Sequence, residues 1–165
     1  MLRLTNYTSL LLFLLLLPVA RSLAQTQRPA SAPAPASVAR AAGEIQVKVS
    51  GFRSARGQVF VALWRSGKSF PGTPPKGSLA ATVKIVKGVA EATFRRVPPG
   101  MFAVTVFHDE DGDTELDTNW IGIPREGVGF SRDARGRYGP PSWDDAKLVL
   151  EPGEVEQVKI TMLYF

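Results

Sequence analysis

Cysteine is absent from the 165 residues, and histidine occurs once, at His108. The first absence removes disulfide staples, thiol chemistry and a lipid anchor through cysteine together. The second rules out any two-histidine constellation and leaves zinc without a usual ligand set. Long apolar runs are missing too. The unbroken stretch from Leu10 to Leu17 falls far short of the roughly 20 residues that a spanning helix needs. Positive charge is present but unclustered. Twenty Lys and Arg stand among fifteen Asp and Glu, for a formal net charge of +5. A nucleic-acid reader needs a basic stripe or face, so these charges read as ordinary solvated surface.

What is there begins with an export signal. Arg3 is the one charge of the opening segment, the apolar run follows, and small residues stand at Ser22 and Ala24. This is the layout of a secretory signal peptide over residues 1–24, with cleavage after Ala24. The expectation is an exported chain, periplasmic or extracellular, that does not span the membrane once cleaved. Residues 25–43 are mostly Ala, Pro, Ser and Arg. Such a stretch buries too little to offset its ordering entropy and reads as a disordered linker. Residues 44–165 are long enough for one domain with one core.

Alternation at period two dominates that domain, with no sustained helical period. Ile45, Val47 and Val49 alternate with polar neighbours, and QVFVALW follows at Gln58 to Trp64. Strands are expected in LAATVKIVKG and VAEATFRR, as a hairpin turning at Lys87-Gly88, and in MFAVTVF after the turn VPPG. A long loop from His108 to Trp143 interrupts the pattern before AKLVL and VEQVKITM, which are joined by EPGE. The fold class expected is all-β: an antiparallel β-sandwich of about seven strands with one long loop. An outer-membrane barrel ending at Phe165 fails, because the row in step with Phe165 includes Lys159 and Gln157. Val158, Ile160 and Met162 form the apolar row instead, as a soluble core requires.

The segment HDEDGDTELDTNW holds the chemistry. Asp109, Asp111, Asp113 and Asp117 stand at relative positions 1, 3, 5 and 9, and Glu115 at position 7 offers its backbone carbonyl. Calcium takes six to eight oxygen ligands, and alternate residues of a tight loop can turn oxygens inward. The spacing resembles the nine-residue calcium loops of integrin-type propellers more than an EF-hand. Thr114 stands where glycine usually permits the sharp turn, with Gly112 close by. The same acids also suit a loop held by Asx turns, solvated or paired to Arg125, Arg132 or Arg137.

The remainder of the loop is longer than connections usually are without a purpose. Trp120, Phe130, Tyr138 and Trp143 are interleaved there with Gly and Pro. They suit a stacking platform for a glycan or a peptide, or a satellite core folded onto the sandwich edge. Catalysis has less to rest on. Ser131 and Ser142 lie in no nucleophile-elbow context. Glu126 with Asp133, or Asp144 with Asp145, would serve as acid and base only across a suitable cleft.

The stretches PPGMFAVTVFHDEDGDTELDTNWIGIPREGVGFS and YGPPSWDDAKLVL resemble the secreted bacterial domain-of-unknown-function 2141 family. The likeness extends more loosely from Glu44 to the C-terminus. It implies a transthyretin-like or Ig-like sandwich in a bacterial envelope setting, and brings no activity or catalytic residues. Relatives often carry Asn and Gly in the acidic loop, where Asp111, Asp113 and Thr114 stand here.

The function expected is an exported envelope binding or structural module, not an enzyme, stabilised by one calcium ion. Its partner would be an envelope protein or a glycan. The alternatives are a polysaccharide-acting hydrolase using loop carboxylates, and an accessory subunit of an envelope complex.

Overall fold

A computed structural model describes residues 41–165. The signal peptide and nearly all of the linker lie outside the described residues. Within them, two sheets face each other across one core, and the expected β-sandwich is the architecture observed.

The first sheet has the order β4-β1-β8, from Ala90–Val97, Gly43–Ser50 and Val155–Thr161. The second runs β3-β2-β5-β6, from Leu79–Val83, Gln58–Trp64, Gly100–Asp109 and Gly127–Phe130. A short β7, Leu148–Leu150, pairs with the start of β5. All pairs are antiparallel except β1 with β8, which run parallel.

Period-two alternation does the sorting. Ile45, Val47 and Val49 of β1, Val59, Val61 and Leu63 of β2, and Phe102, Val104 and Val106 of β5 all point into the core. Val158, Ile160 and Met162 complete it from the C-terminal segment, as the sequence pattern required. The opposite face of the second sheet is also covered in part. There Trp64 and Ala103 pack with Ala134 and Ala146 under Phe70, Phe130 and Trp143.

Two expectations need correction. LAATVKIVKG and VAEATFRR do not form a paired hairpin: β3 joins β2, whereas β4 joins β1 in the other sheet. The turn at Lys87 and Gly88 exists, with positive φ at both, but only Val86 and Val89 bridge across it. The chain uses that turn while changing sheets. The long loop also contains a strand, β6, a 3-10 turn at Ser131–Asp133 and a one-turn helix α1, Trp143–Ala146.

Candidate functional site

Strand β5 positions the acidic loop by its alternation. His108 continues the inward row, and Asp109 falls on the opposite face, beside its cross-strand partner Gln58. Asp109 is fully buried. Its Oδ2 accepts from Gln58 Nε2 at 2.9 Å and from the Thr114 N–H at 3.3 Å, and its Oδ1 accepts from the Gly112 N–H at 2.7 Å. Burial alone would raise its pKa; the hydrogen bonds from Gln58, Gly112 and Thr114 outweigh burial and hold it below the usual value.

Glu126 closes the loop from its far end. It is also buried, and its carboxylate accepts from the N–H groups of Glu110, at 2.7 Å, and Asp117, at 3.2 Å. Burial raises its pKa despite those two bonds, and the negative charges of Asp109 and Asp111 push it the same way. Ligand atoms of Asp109, Asp111 and Glu126 all lie within 4.8 Å of one another. No ion pair found among the described residues reaches any of the three.

The gathered set is therefore not the evenly spaced one. Asp109 and Asp111 come together, but Asp113, Glu115 and Asp117 stand exposed outside the cluster. The reason is local. Positive φ at Gly112 and Thr114 turns the chain, and the Asp113 carboxylate then accepts from the Glu115 N–H at 2.8 Å. Asp111 does the same for the Asp113 N–H at 3.1 Å, so the Asx-turn reading describes this stretch well. From the sequence Glu126 is a candidate only as a catalytic acid; nothing in the spacing ties it to Asp109.

The arginine at this site is Arg53 and not Arg125, Arg132 or Arg137. It grips Glu110 through Nε and Nη2, donates to the Arg125 carbonyl at 3.0 Å, and lies over the Tyr164 ring at 4.6 Å. Beside that guanidinium, and with Ser54 donating at 2.7 Å, the Glu110 carboxyl is lowered to about 2.

The four loop aromatics divide. Phe130 and Trp143 are partly buried, each edge-on to Phe70, which meets Trp64 in the same way. They hold the loop to the sheet, so a four-membered stacking platform does not form. Tyr138 is 91% exposed and Trp120 is 93% exposed. Trp120 rides on a tight turn in which the Asn119 side-chain oxygen accepts from the N–H groups of Ile121 and Ile123. The acids weighed for catalysis are held structurally. Asp133 accepts from the Thr161 N–H, Asp145 caps α1 with Ser142, and Asp144 pairs with Lys147.

The family described as "Uncharacterized protein conserved in bacteria (DUF2141)" matches residues 47–158, from within β1 into β8. No curated protein matches the chain. Among solved structures, a pilus-presented adhesin, Spy0125 (Cpa), is similar at 11% identity and a TM-score of 0.27. That similarity covers 78% of this chain and 28% of the adhesin.

Proposed function

The chain belongs to this bacterial family, and from that premise we propose an exported binding module whose acidic loop is held closed by one calcium ion. The observation that supports this is the cluster of Asp109, Asp111 and Glu126. Three carboxylates share one small volume, two of them buried, while the neighbouring guanidinium is taken by Glu110. Bringing like charges together in a poorly solvated site is unfavourable. A hard cation would relieve it, and an all-oxygen donor set fits calcium. Backbone carbonyls and water would supply the other ligands. Because Glu126 also binds the Asp117 N–H, a cation here would firm the base of the segment that presents Trp120.

A thermal melt in chelator and then in millimolar calcium tests this. A site half-saturated near ~0.1 mM adds about 1.4 kcal/mol at ~1 mM, a shift of roughly 5 °C. The shift should vanish in Asp111→Asn and should not be given by magnesium. An equal melt in chelator and calcium would sink the proposal.

The signal-peptide pattern supports export, and N-terminal sequencing of secreted material checks it. No helix of the described residues is long and apolar enough to cross a membrane. The hydrolase reading gains nothing from the fold, since Asp109, Asp111 and Glu126 crowd together in one cluster at the end of β5. The accessory-subunit reading has one observation in its favour, the exposed Trp120 with Ile121 beside it. Co-purification from envelope extracts that is lost in Trp120→Ala would favour it.

A further inference from the structure

The outer face of the second sheet holds a groove that the acidic cluster does not use. Its floor is the stacked pair Phe60 and Phe107, 4.7 Å apart and 16° from parallel. Ala80 on β3 leaves room beside them. The connection between β2 and β3 walls it with Pro71 and Pro74, and the acidic loop contributes Leu116. The volume is about 370 Å³, at the lower end of the range for ligand sites. Lining residues come from all four strands of β3-β2-β5-β6. At roughly 4.8 Å between strands the floor is about 14 Å across, the length of about four extended residues.

No charged side chain lines this groove, and its polar side chains are the three threonines 73, 105 and 114. One of those hydroxyls, on Thr105, already accepts from the Trp64 indole at 2.9 Å. A sugar ring, ringed by hydroxyls, would leave most of its hydrogen bonds unmatched there. The rim is different. Two of the lining residues, Thr114 and Leu116, are flanked in the chain by Asp113, Glu115 and Asp117, so these acids adjoin the groove through the backbone. All three are exposed and none takes part in an ion pair found among the described residues. An apolar floor beside an anionic rim is complementary to an apolar ligand with a cationic end.

We infer that the groove takes an extended peptide of a partner protein, its apolar side chains on Phe60 and Phe107 and a Lys or Arg at the Asp113–Asp117 rim. This rests on reading the domain as a binding module, but not on calcium. The three rim acids are the ones that stay outside the carboxylate cluster.

The test pans random heptapeptides on phage against the full chain in chelator, in parallel with Ala80→Trp. That substitution fills the groove from an exposed strand position. Phe107→Ala serves as a second variant, emptying the floor where Ala80→Trp blocks it. The wild type should enrich peptides with apolar residues next to Lys or Arg. A synthetic copy of the best one should bind about tenfold more weakly to both variants, and several-fold more weakly when Asp113, Glu115 and Asp117 are made amides. Absence of enrichment, enrichment of acidic peptides, or equal binding to folded Ala80→Trp would overturn the inference. So would chitohexaose binding that Ala80→Trp abolishes, which would assign the groove to glycans. Chelator keeps the two readings separable: failure here leaves the calcium melt untouched, and a flat calcium melt leaves this result standing.

Discussion

Tyr164 and the buried His108 share a hydrogen bond, 2.8 Å from the phenol oxygen to imidazole Nδ1. The other ring nitrogen, Nε2, lies 2.8 Å from the Arg56 carbonyl. A carbonyl only accepts, so Nε2 holds a hydrogen, and in the neutral ring Nδ1 accepts from the phenol. The Tyr164 oxygen also lies 3.3 Å from the Arg53 N–H, which donates to it. The one histidine of the chain thus ties the end of β5 to the turn before β2 and to the C-terminal segment. It is a structural residue, set edge-on against Phe52.

Replacing Tyr164 with Phe removes that donor and leaves a buried ring nitrogen unpaired. The expected cost is about 1–3 kcal/mol, read as a lower urea midpoint with an unchanged slope. A pH series adds a second check. Burial raises the Tyr164 pKa above 10.0, so the folded state keeps the proton longer than the unfolded chain. Stability present below pH 10 should fall as pH rises beyond it, and this alkaline loss should be smaller in Tyr164→Phe.

Glu110 works in the opposite direction. Its pKa is lowered from 4.5 to about 2, first by Arg53. The stabilisation is present above the unfolded value and is lost as pH falls from about 4.5 toward 2. A direct conversion of that depression gives about 3 kcal/mol. The Arg53 side chain is 47% exposed, so solvent screening brings the expected contribution nearer about 1 kcal/mol. Denaturant titrations across that window should show Glu110→Gln with a flatter acid arm than the wild type. Parallel arms would show that the Arg53 pair contributes nothing.

Much of this architecture is legible in the sequence. Strands β1 and β8 alternate because only one face of each meets the core, whereas β2 and β5 read as nearly unbroken apolar runs because their second face is partly covered too. Strand β6 did not show itself, because Gly127-Val128-Gly129 reads as loop. Its glycines are dictated from outside. A Cβ at Gly129 would stand 2.6 Å from the Ile160 side chain, and one at Gly127 would stand 2.5 Å from Tyr164. Only a bare backbone lets the C-terminal segment close on that strand. The Glu126 contribution to the acidic cluster was hidden for a related reason. Asp109 and Glu126 meet because β5 and β6 pair, with His108 opposite Gly127, and no local spacing encodes that.

Gly129→Ala tests this account of β6. The added methyl meets Ile160 well inside contact distance, and overpacking of this kind costs about 1–3 kcal/mol. Pairing it with Ile160→Val should recover part of the loss. Wild-type stability in Gly129→Ala would mean that the sheets separate more easily than their packing suggests.

Thr114 holds a left-handed backbone, φ 73°, that a β-branched residue rarely adopts. The turn forces it there so that its N–H can reach Asp109. Thr114→Gly relieves that strain but gives the unfolded chain more freedom. Strain of about 1–2 kcal/mol against an entropy cost of about 0.5–1 kcal/mol predicts a small net gain. A melt raised by a degree or two would agree, whereas a clear loss would mean that the Thr114 side chain contributes more than its backbone costs.

Glu126 offers the sharpest separation between a calcium site and an acidic loop that merely folds on itself. Its pKa is raised by burial and by the charges of Asp109 and Asp111. A raised carboxyl stabilises the folded state below the unfolded value near 4.5 and loses that contribution as pH climbs through the folded value. In chelator, then, Glu126→Gln should lack this decline while keeping the acid arm set by Glu110. An amide still accepts one of the two N–H bonds from Glu110 and Asp117, so the loop should remain folded. Calcium reverses the comparison: the wild type should gain stability at neutral pH and the variant should not. The gain should also shrink as pH falls through the raised Glu126 value, because the proton and the cation compete for one carboxylate. A variant that still responds to calcium would remove Glu126 from the ligand set. A wild type whose chelator and calcium curves coincide at every pH would leave Asp109 and Glu126 as loop anchors alone.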